Sequence, residues 1–317
     1  MNVEQINRVC SVGTGTMGFG TALAFAFSGC SVSMAGRSEA SLDRAFGNIK
    51  QALEAYKAGG LATDQKIAQT LANIQGCTNY TDAVAGAQFI IESVVEEVET
   101  KQEVYASLEK LVSPEVILAT NTSGLSPTTL AARMQNPERF VVAHFWNPPH
   151  LIPLVEVVPG EKTSPETVET TKDLLEKIEK KPIVLQRECL GFLGNRLQYA
   201  LLREAISLVE KGIATPADID MAVKYGFGRR LPTTGPLESA DMGGLDIFLN
   251  IGRYLSADLD ASQTPSPLLE KIVAEGNLGI KTGKGLQDWP KDKIASVRKK
   301  REESLIAWLQ QDRADQA

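Results

Sequence analysis

The stretch Arg8-Val9-Cys10-Ser11-Val12-Gly13-Thr14-Gly15-Thr16-Met17-Gly18 decides the fold. A short β-branched run ends on three glycines in the pattern GxGxxG, and Thr16–Ser28 continues in small and apolar residues that suit a helix packed on a sheet. In a strand–turn–helix setting each glycine has a distinct use. Gly13 permits the tight turn, Gly15 lets backbone N–H groups approach a pyrophosphate, and Gly18 lets the helix lie close to the strand. The helix N-terminus, with Thr16 and Met17 in its first turn, adds free N–H groups and a positive dipole end. The segment therefore reads as the opening of a dinucleotide-binding Rossmann unit.

Working outward, short apolar runs alternate with helical segments, the mark of a doubly wound sheet covered by helices. Val9–Val12, Ser31–Ala35, Gln88–Glu92, Val116–Ala119, Arg139–His144, Leu154–Val158 and Ile183–Leu185 read as strands. Leu42–Lys57 and Thr63–Leu71 form a helical hairpin broken at Gly59-Gly60. Beyond Cys189 the strand signal ceases and only helices follow, including Gly191–Lys211, Leu245–Leu255 and a charged last helix from about Lys291. The fold class expected is α/β, a Rossmann doubly wound domain over 1–187 followed by an all-helical domain over 188–317 for substrate binding and dimerisation.

The chain has 317 residues, enough for two cores, and a formal net charge of −6. That charge gives no general attraction to nucleic acid or anionic lipid. No apolar run is long enough to span a bilayer and no signal peptide pattern opens the chain, so a cytoplasmic protein is expected. The four cysteines are scattered without CxxC spacing, so no metal site is expected.

The end of the second strand bears on cofactor choice. An acidic residue there normally takes the ribose 2′-OH of NAD, but this chain has Gly36-Arg37-Ser38. Arg37 with the Ser38 hydroxyl suits a 2′-phosphate, which favours NADP over NAD.

Only two histidines occur, His144 and His150. His144 ends an apolar strand, where residues of an open α/β sheet face the ligand crevice. Glu156 interrupts the apolar run Leu154-Val155-Glu156-Val157-Val158, a costly position for a carboxylate without a partner. Paired on neighbouring strands, the two would form a dyad in which Glu156 fixes the imidazole tautomer and raises its basicity. His150, in a proline-flanked loop, suits a substrate-facing or surface position better than the base.

With these residues in view the chain resembles the L-3-hydroxyacyl-CoA dehydrogenase family over nearly its whole length. The shared segments are Gly13–Gly18, Ala119-Thr120-Asn121-Thr122-Ser123, His144-Phe145-Trp146-Asn147-Pro148, Leu154-Val155-Glu156-Val157, Gly191-Phe192-Leu193-Gly194-Asn195-Arg196, Gly235-Pro236-Leu237-Glu238 and Lys281-Thr282-Gly283-Lys284-Gly285. The resemblance implies that His144 is the general acid/base oriented by Glu156, and that Ser123 and Asn195 hydrogen-bond the reacting oxygen. It implies cofactor contacts at Glu96, Lys101, Asn147 and Lys281, beside Gly13, Gly15 and Gly18. It also implies a homodimer built on the helical domain.

Departures from the family are equally specific. Ala52 and Gly59 stand where a serine and a lysine of the family hold coenzyme A. The segment Asn147-Pro148-Pro149-His150-Leu151-Ile152-Pro153 resembles a branch that oxidises small substrates without coenzyme A, and Arg229-Arg230 could bind a substrate carboxylate. The first reading is thus an NAD(P)-dependent 3-hydroxyacyl-CoA dehydrogenase-like enzyme acting on CH–OH groups. An NADPH-dependent enzyme of a small CoA-free carbonyl, carboxylate or imine compound is the alternative, and a dinucleotide-binding protein without activity is the alternative of another class.

Overall fold

A computed structural model describes residues 3–314. Its sheet has eight strands: β1 (Arg8–Val12), β2 (Ser31–Ala35), β3 (Ile74–Cys77), β4 (Phe89–Glu92), β5 (Ile117–Thr120), β6 (Phe140–Phe145), β7 (Leu154–Pro159) and β8 (Lys181–Val184). The spatial order is β3-β2-β1-β4-β5-β6-β7-β8. Strand order reverses between β1 and β4, the topological switch point at whose carboxyl edge ligands bind in such sheets.

Helices cover both faces, so the central strands β1, β4, β5, β6 and β7 are buried on either side and read as nearly continuous apolar runs. On one face lie α1 (Thr16–Phe27), α2 (Glu39–Ala58) and α3 (Asp64–Ala72); α1 and α2 bury Leu23, Phe25, Leu42, Ile49 and Leu53. The other face is covered by α4 (Tyr80–Ala83), α5 (Val98–Glu109) and α6 (Pro127–Leu130), with Tyr105, Leu108 and Leu130 in its core. Next in the chain comes α7 (Pro165–Lys177), which returns to the first face through Leu174 and Leu175.

Two features differ from the sequence-based expectation. β3 was not expected, because Ile74-Gln75-Gly76-Cys77 is an edge strand with one buried residue and a glycine, and so carries no periodic apolar signal. β7 runs antiparallel to β6 within an otherwise parallel sheet. The connection 146–153 is too short for the crossover that a parallel pair requires.

The remaining helices are α8 (Gly194–Glu210), α9 (Pro216–Tyr225), α10 (Pro236–Gly243), α11 (Leu245–Leu255), α12 (Pro267–Ala274) and α13 (Lys291–Ala314). The chain divides into two compact units, one from the N-terminus to Asn195 and again from Arg301, the other Arg196–Lys300. The final helical turns, read from sequence as part of the second domain, thus fall with the sheet. Ile306 and Leu309 are buried in the same apolar cluster as Ala52, Leu53 and Tyr56 of α2. The second unit is helical, and among its described residues only Ile206 and Ser207 are buried. No helix among the described residues is long and apolar enough to cross a membrane.

Candidate functional site

The glycine turn joins β1 to α1, as its spacing requires. Gly13 has φ of +116°, and a Cβ there would lie 2.6 Å from the Ser93 carbonyl oxygen. At Gly18 a Cβ would meet the Gly13 carbonyl at 2.0 Å, so only glycine lets the helix start sit on the turn. Gly15 differs: nothing lies within 4 Å of its Cβ position. That open space is what a diphosphate needs beside the backbone. Gly15 is also the N-cap of α1 and offers no capping side chain, leaving the first-turn N–H groups of Thr16 and Met17 for an anion.

Beside the turn is a cavity of about 440 Å³, lined among others by Gly13, Gly15, Gly36, Arg37, Ser93 and Thr100. The Ser93 hydroxyl oxygen is buried without a hydrogen-bond partner at this wall. A dinucleotide therefore fits both the glycine cradle and the polar lining. Gly36 ends β2 with no room for a side chain, since a Cβ would stand 2.8 Å from Leu42 Cγ and 2.9 Å from Thr14 Cγ2. Arg37 is exposed at the cavity wall. Ser38 is the N-cap of α2, its oxygen accepting from the Ser41 N–H at 3.3 Å, so that oxygen is committed to the helix.

At the carboxyl ends of β5 and β6 the second constellation forms. His144 and Glu156 are direct partners across the antiparallel β6–β7 pair, and Nδ1 lies 2.8 Å from Oε2. Both side chains are buried. Trp146 donates its indole N–H to the same Oε2 at 3.2 Å, while the backbone N–H groups of Leu193 and Gly194 donate to Oε1 at 2.8 and 3.0 Å. Four donors thus fill the acceptor sites of one carboxylate. Burial pushes the Glu156 carboxyl up, but the bonds from His144, Gly194 and Leu193 and the charge of His144 outweigh it and hold it below the usual carboxylate range.

The last two donors depend on an unusual backbone. Gly191 and Phe192 have φ of +74° and +51°, and Phe192 is a bulky residue in the left-handed region. Burial of its ring, 5.7 Å from that of His144, holds the turn that aims the 193–194 peptide at Glu156.

Around Ser123 the links continue. Asn195 Nδ2 donates to the Ser123 carbonyl at 2.9 Å. Glu96 accepts from Thr122 Oγ1 at 2.6 Å, the Ser123 N–H at 2.8 Å and Ser123 Oγ at 3.2 Å. Burial raises the Glu96 carboxyl, but these bonds and the charge of Lys101, 3.4 Å away, bring it below the ordinary value. Asn121 accepts from the Phe145 N–H at 2.7 Å and ties β5 to the end of β6.

The structure therefore brings Ser123, Asn195, Glu96 and Lys101 into one network, and His144 and Glu156 into another. Asn147 is exposed just after β6. Lys281 is exposed on a turn of the second unit. Arg229 is engaged within that unit, its guanidinium 5.0 Å from the Tyr225 ring centroid and donating to the Lys224 carbonyl.

His150 is half-buried between Phe19 and Tyr56, with Nδ1 unpartnered. Sequence reasoning passed over Glu92, Trp146 as a donor, and the 193–194 peptide. Glu92 carried the same signal as Glu156, a carboxylate in an apolar strand; the backbone donors carried none.

A turn shaped for a diphosphate and a buried histidine–carboxylate pair on one edge of a doubly wound sheet define an NAD-dependent dehydrogenase. The sequence pattern of the 3-hydroxyacyl-CoA dehydrogenase NAD binding domain matches residues 8–189, and that of the 3-hydroxyacyl-CoA dehydrogenase C-terminal domain matches residues 191–289. The chain belongs to the 3-hydroxyacyl-CoA dehydrogenase family.

Among its relatives, 5-formyl-3-hydroxy-2-methylpyridine 4-carboxylate 5-dehydrogenase of Mesorhizobium japonicum is 36% identical over 96% of this chain and 97% of its own length. A crystal structure of an enzyme of that activity, described as an NAD+-dependent dismutase, superposes with a TM-score of 0.91 at 35% identity, covering 98% of this chain and 99% of the other. (S)-3-Hydroxybutyryl-CoA dehydrogenase of Ralstonia eutropha is 34% identical with a TM-score of 0.76, covering 90% of this chain and 100% of its own.

Proposed function

We propose that the chain is a dehydrogenase of small hydroxyl or carbonyl compounds that carry no coenzyme A, with His144 as proton acceptor and donor. The observation that carries this reading is the seat of α13 on α2 at Gly59. A Cβ on Gly59 would stand 2.3 Å from Ile306 Cγ2, and Gln310 donates to the Gly59 carbonyl. By resemblance Gly59 and Ala52 occupy the positions with which the family holds coenzyme A. Here one has no side chain, the other is buried, and a helix beyond the family's matched segment packs against them. The pyridine-carboxylate relative spans nearly all of this chain, whereas the hydroxybutyryl-CoA enzyme spans 90% of it, in keeping with that extension.

The nicotinamide of the bound cofactor supplies or accepts the hydride. The protein supplies the proton route. Nδ1 of His144 is committed to Glu156, which leaves Nε2 to exchange a proton with the substrate hydroxyl. Glu156 favours the imidazolium that forms during oxidation, and in reduction that imidazolium returns its proton to the developing alkoxide. The second amide proton of Asn195 is assigned to the reacting oxygen, and the Ser123 hydroxyl joins it on turning away from Glu96, to which it donates at 3.2 Å.

For the cofactor itself, the reading is NADP(H) in preference to NAD(H), because Gly36 offers no carboxylate and Arg37 stands exposed at the cavity wall. A homodimer completes the reading. The second unit exposes Leu245, Ile247, Phe248, Leu249 and Tyr254 on or beside α11, an apolar surface too extensive for a lone subunit, and a second copy is its occupant. Sedimentation of the purified chain at twice the monomer mass is the expected result, and a monomer would refute it.

The decisive experiment follows NADPH and NADH consumption with acetoacetyl-CoA set against free aldehydes and ketones that bear a carboxylate. Turnover of the free compounds with little or none of the thioester is expected. The converse would establish the second reading, a 3-hydroxyacyl-CoA dehydrogenase, which the extent of the family match favours.

A further inference from the structure

We infer that Glu92 is a positioning residue of the cofactor cleft, fixing Lys101 and through it Glu96 and the Ser123 loop. Glu92 ends β4 and is fully buried. Lys101, on the first turns of α5, is 1% exposed. Its ammonium lies 2.8 and 3.0 Å from the two Glu92 oxygens, and the carboxylate also accepts from Tyr105 Oη at 2.6 Å, Thr120 Oγ1 at 2.7 Å and the Val94 N–H. A buried charge pair is a poor source of stability, so its presence at the carboxyl edge of the sheet asks for another reason.

The geometry supplies one. A lysine is a point charge on a flexible four-carbon stem, and two carboxylate oxygens on one side pin it. So pinned, the same ammonium reaches Glu96 Oε2 at 3.4 Å. Glu96 is partly exposed, and its other oxygen gathers the hydroxyl of Thr122 and both donors of Ser123. One continuous line of polar contacts thus runs from the interior of the sheet through Glu92, Lys101 and Glu96 to Ser123. Without Glu92, Lys101 would sit against Glu96 alone, and the orientation of Glu96 would no longer be set from below. This inference rests on Lys101 and Glu96 being the cofactor contacts that the family resemblance implies, and its test uses binding alone, so the identity of the substrate does not enter.

The experiment is a cycle of Glu92→Gln, Lys101→Met and the double variant in the full chain, with NADH and NADPH binding followed by nicotinamide fluorescence and folding by thermal unfolding. If Glu92 acts through Lys101, each single change weakens binding at least tenfold. The double variant then binds within about twofold of Lys101→Met, because nothing remains for Glu92 to position. The idea is overturned if Glu92→Gln binds within twofold of the parent, or if the double variant loses the product of the two single losses. Should Glu92→Gln fail to fold, the comparison of Lys101→Met, whose Glu92 carboxylate keeps the Val94, Tyr105 and Thr120 donors, with the double variant still decides between equal binding and a further tenfold loss.

Discussion

His144 and Glu156 are paired residue against residue across β6 and β7, and this register places Nδ1 2.8 Å from Oε2. Because side chains alternate faces along a strand, a slip of one residue in either strand would turn one partner to the opposite face of the sheet. The antiparallel course of β7 is what brings its first turn of chain to the edge where β6 ends. Replacing His144 by Gln removes the proton acceptor but keeps a polar group of similar reach. Turnover is expected to fall by about 10²–10⁴, with NADH affinity within about twofold of the parent. Steady-state kinetics beside a fluorescence titration check this, and an equal loss in both would remove His144 from the chemistry.

Glu156 and His150 give the protein an acid-side instability with two windows. Burial, with a smaller contribution from Lys180, lowers His150 from 6.5 to about 4, so the unfolded chain binds more protons than the folded one between those values. Stability is therefore full above 6.5 and is lost as pH falls toward 4. For Glu156, held below the ordinary 4.5, stability is present above that value and is lost as pH falls through its lowered one. Thermal midpoints measured from pH 7 to 3 should decline in both windows. His150→Phe should flatten the upper one only, since Nδ1 has no partner to lose.

The sheet and the dyad were legible because each rests on local pattern. GxGxxG after a strand fixes the first turn, and a carboxylate inside Leu154–Val158 demands a partner that only a nearby strand can supply. What escaped was set by tertiary structure. The direction of β7 follows from a loop too short to cross over, β3 is an edge strand held by pairing with β2, and the N–H donors of Leu193 and Gly194 exist only because Phe192 adopts a left-handed conformation. Leu309 reads from sequence as a packing residue of the last helix, but its seat on α2 beside Ile306 carries no local signal, because nothing in a charged helix says which surface its few apolar residues meet.

Arg37 is the residue on which the cofactor preference turns. It makes no hydrogen bond or ion pair among the described residues, and its only structural distinction is its place at the cavity wall. Arg37→Ala should leave NADH binding within about twofold and weaken NADPH binding tenfold or more, the loss of one charge-assisted contact to a phosphate. Paired titrations with the two nucleotides measure it. A parent protein that binds NADH more tightly than NADPH would sink the reading before any mutation is made.

The contact between Gly59 and Ile306 yields the last prediction. Ile306 is buried, and truncating it to Ala should cost about 2–4 kcal/mol, as for an aliphatic side chain removed from a packed interface. Gly59→Lys would drive a Cβ into Ile306 Cγ2 and displace α13 from α2. Because the two changes meet at one point, they must not add: the space vacated in Ile306→Ala accepts the stem of the lysine, and the double variant should be more stable than the sum of the single losses by at least about 1 kcal/mol. Denaturant unfolding of the four proteins measures the coupling. Additive losses would mean that α13 does not occupy the Gly59 face in solution, and the argument that this helix takes the place of a coenzyme A contact would go with it.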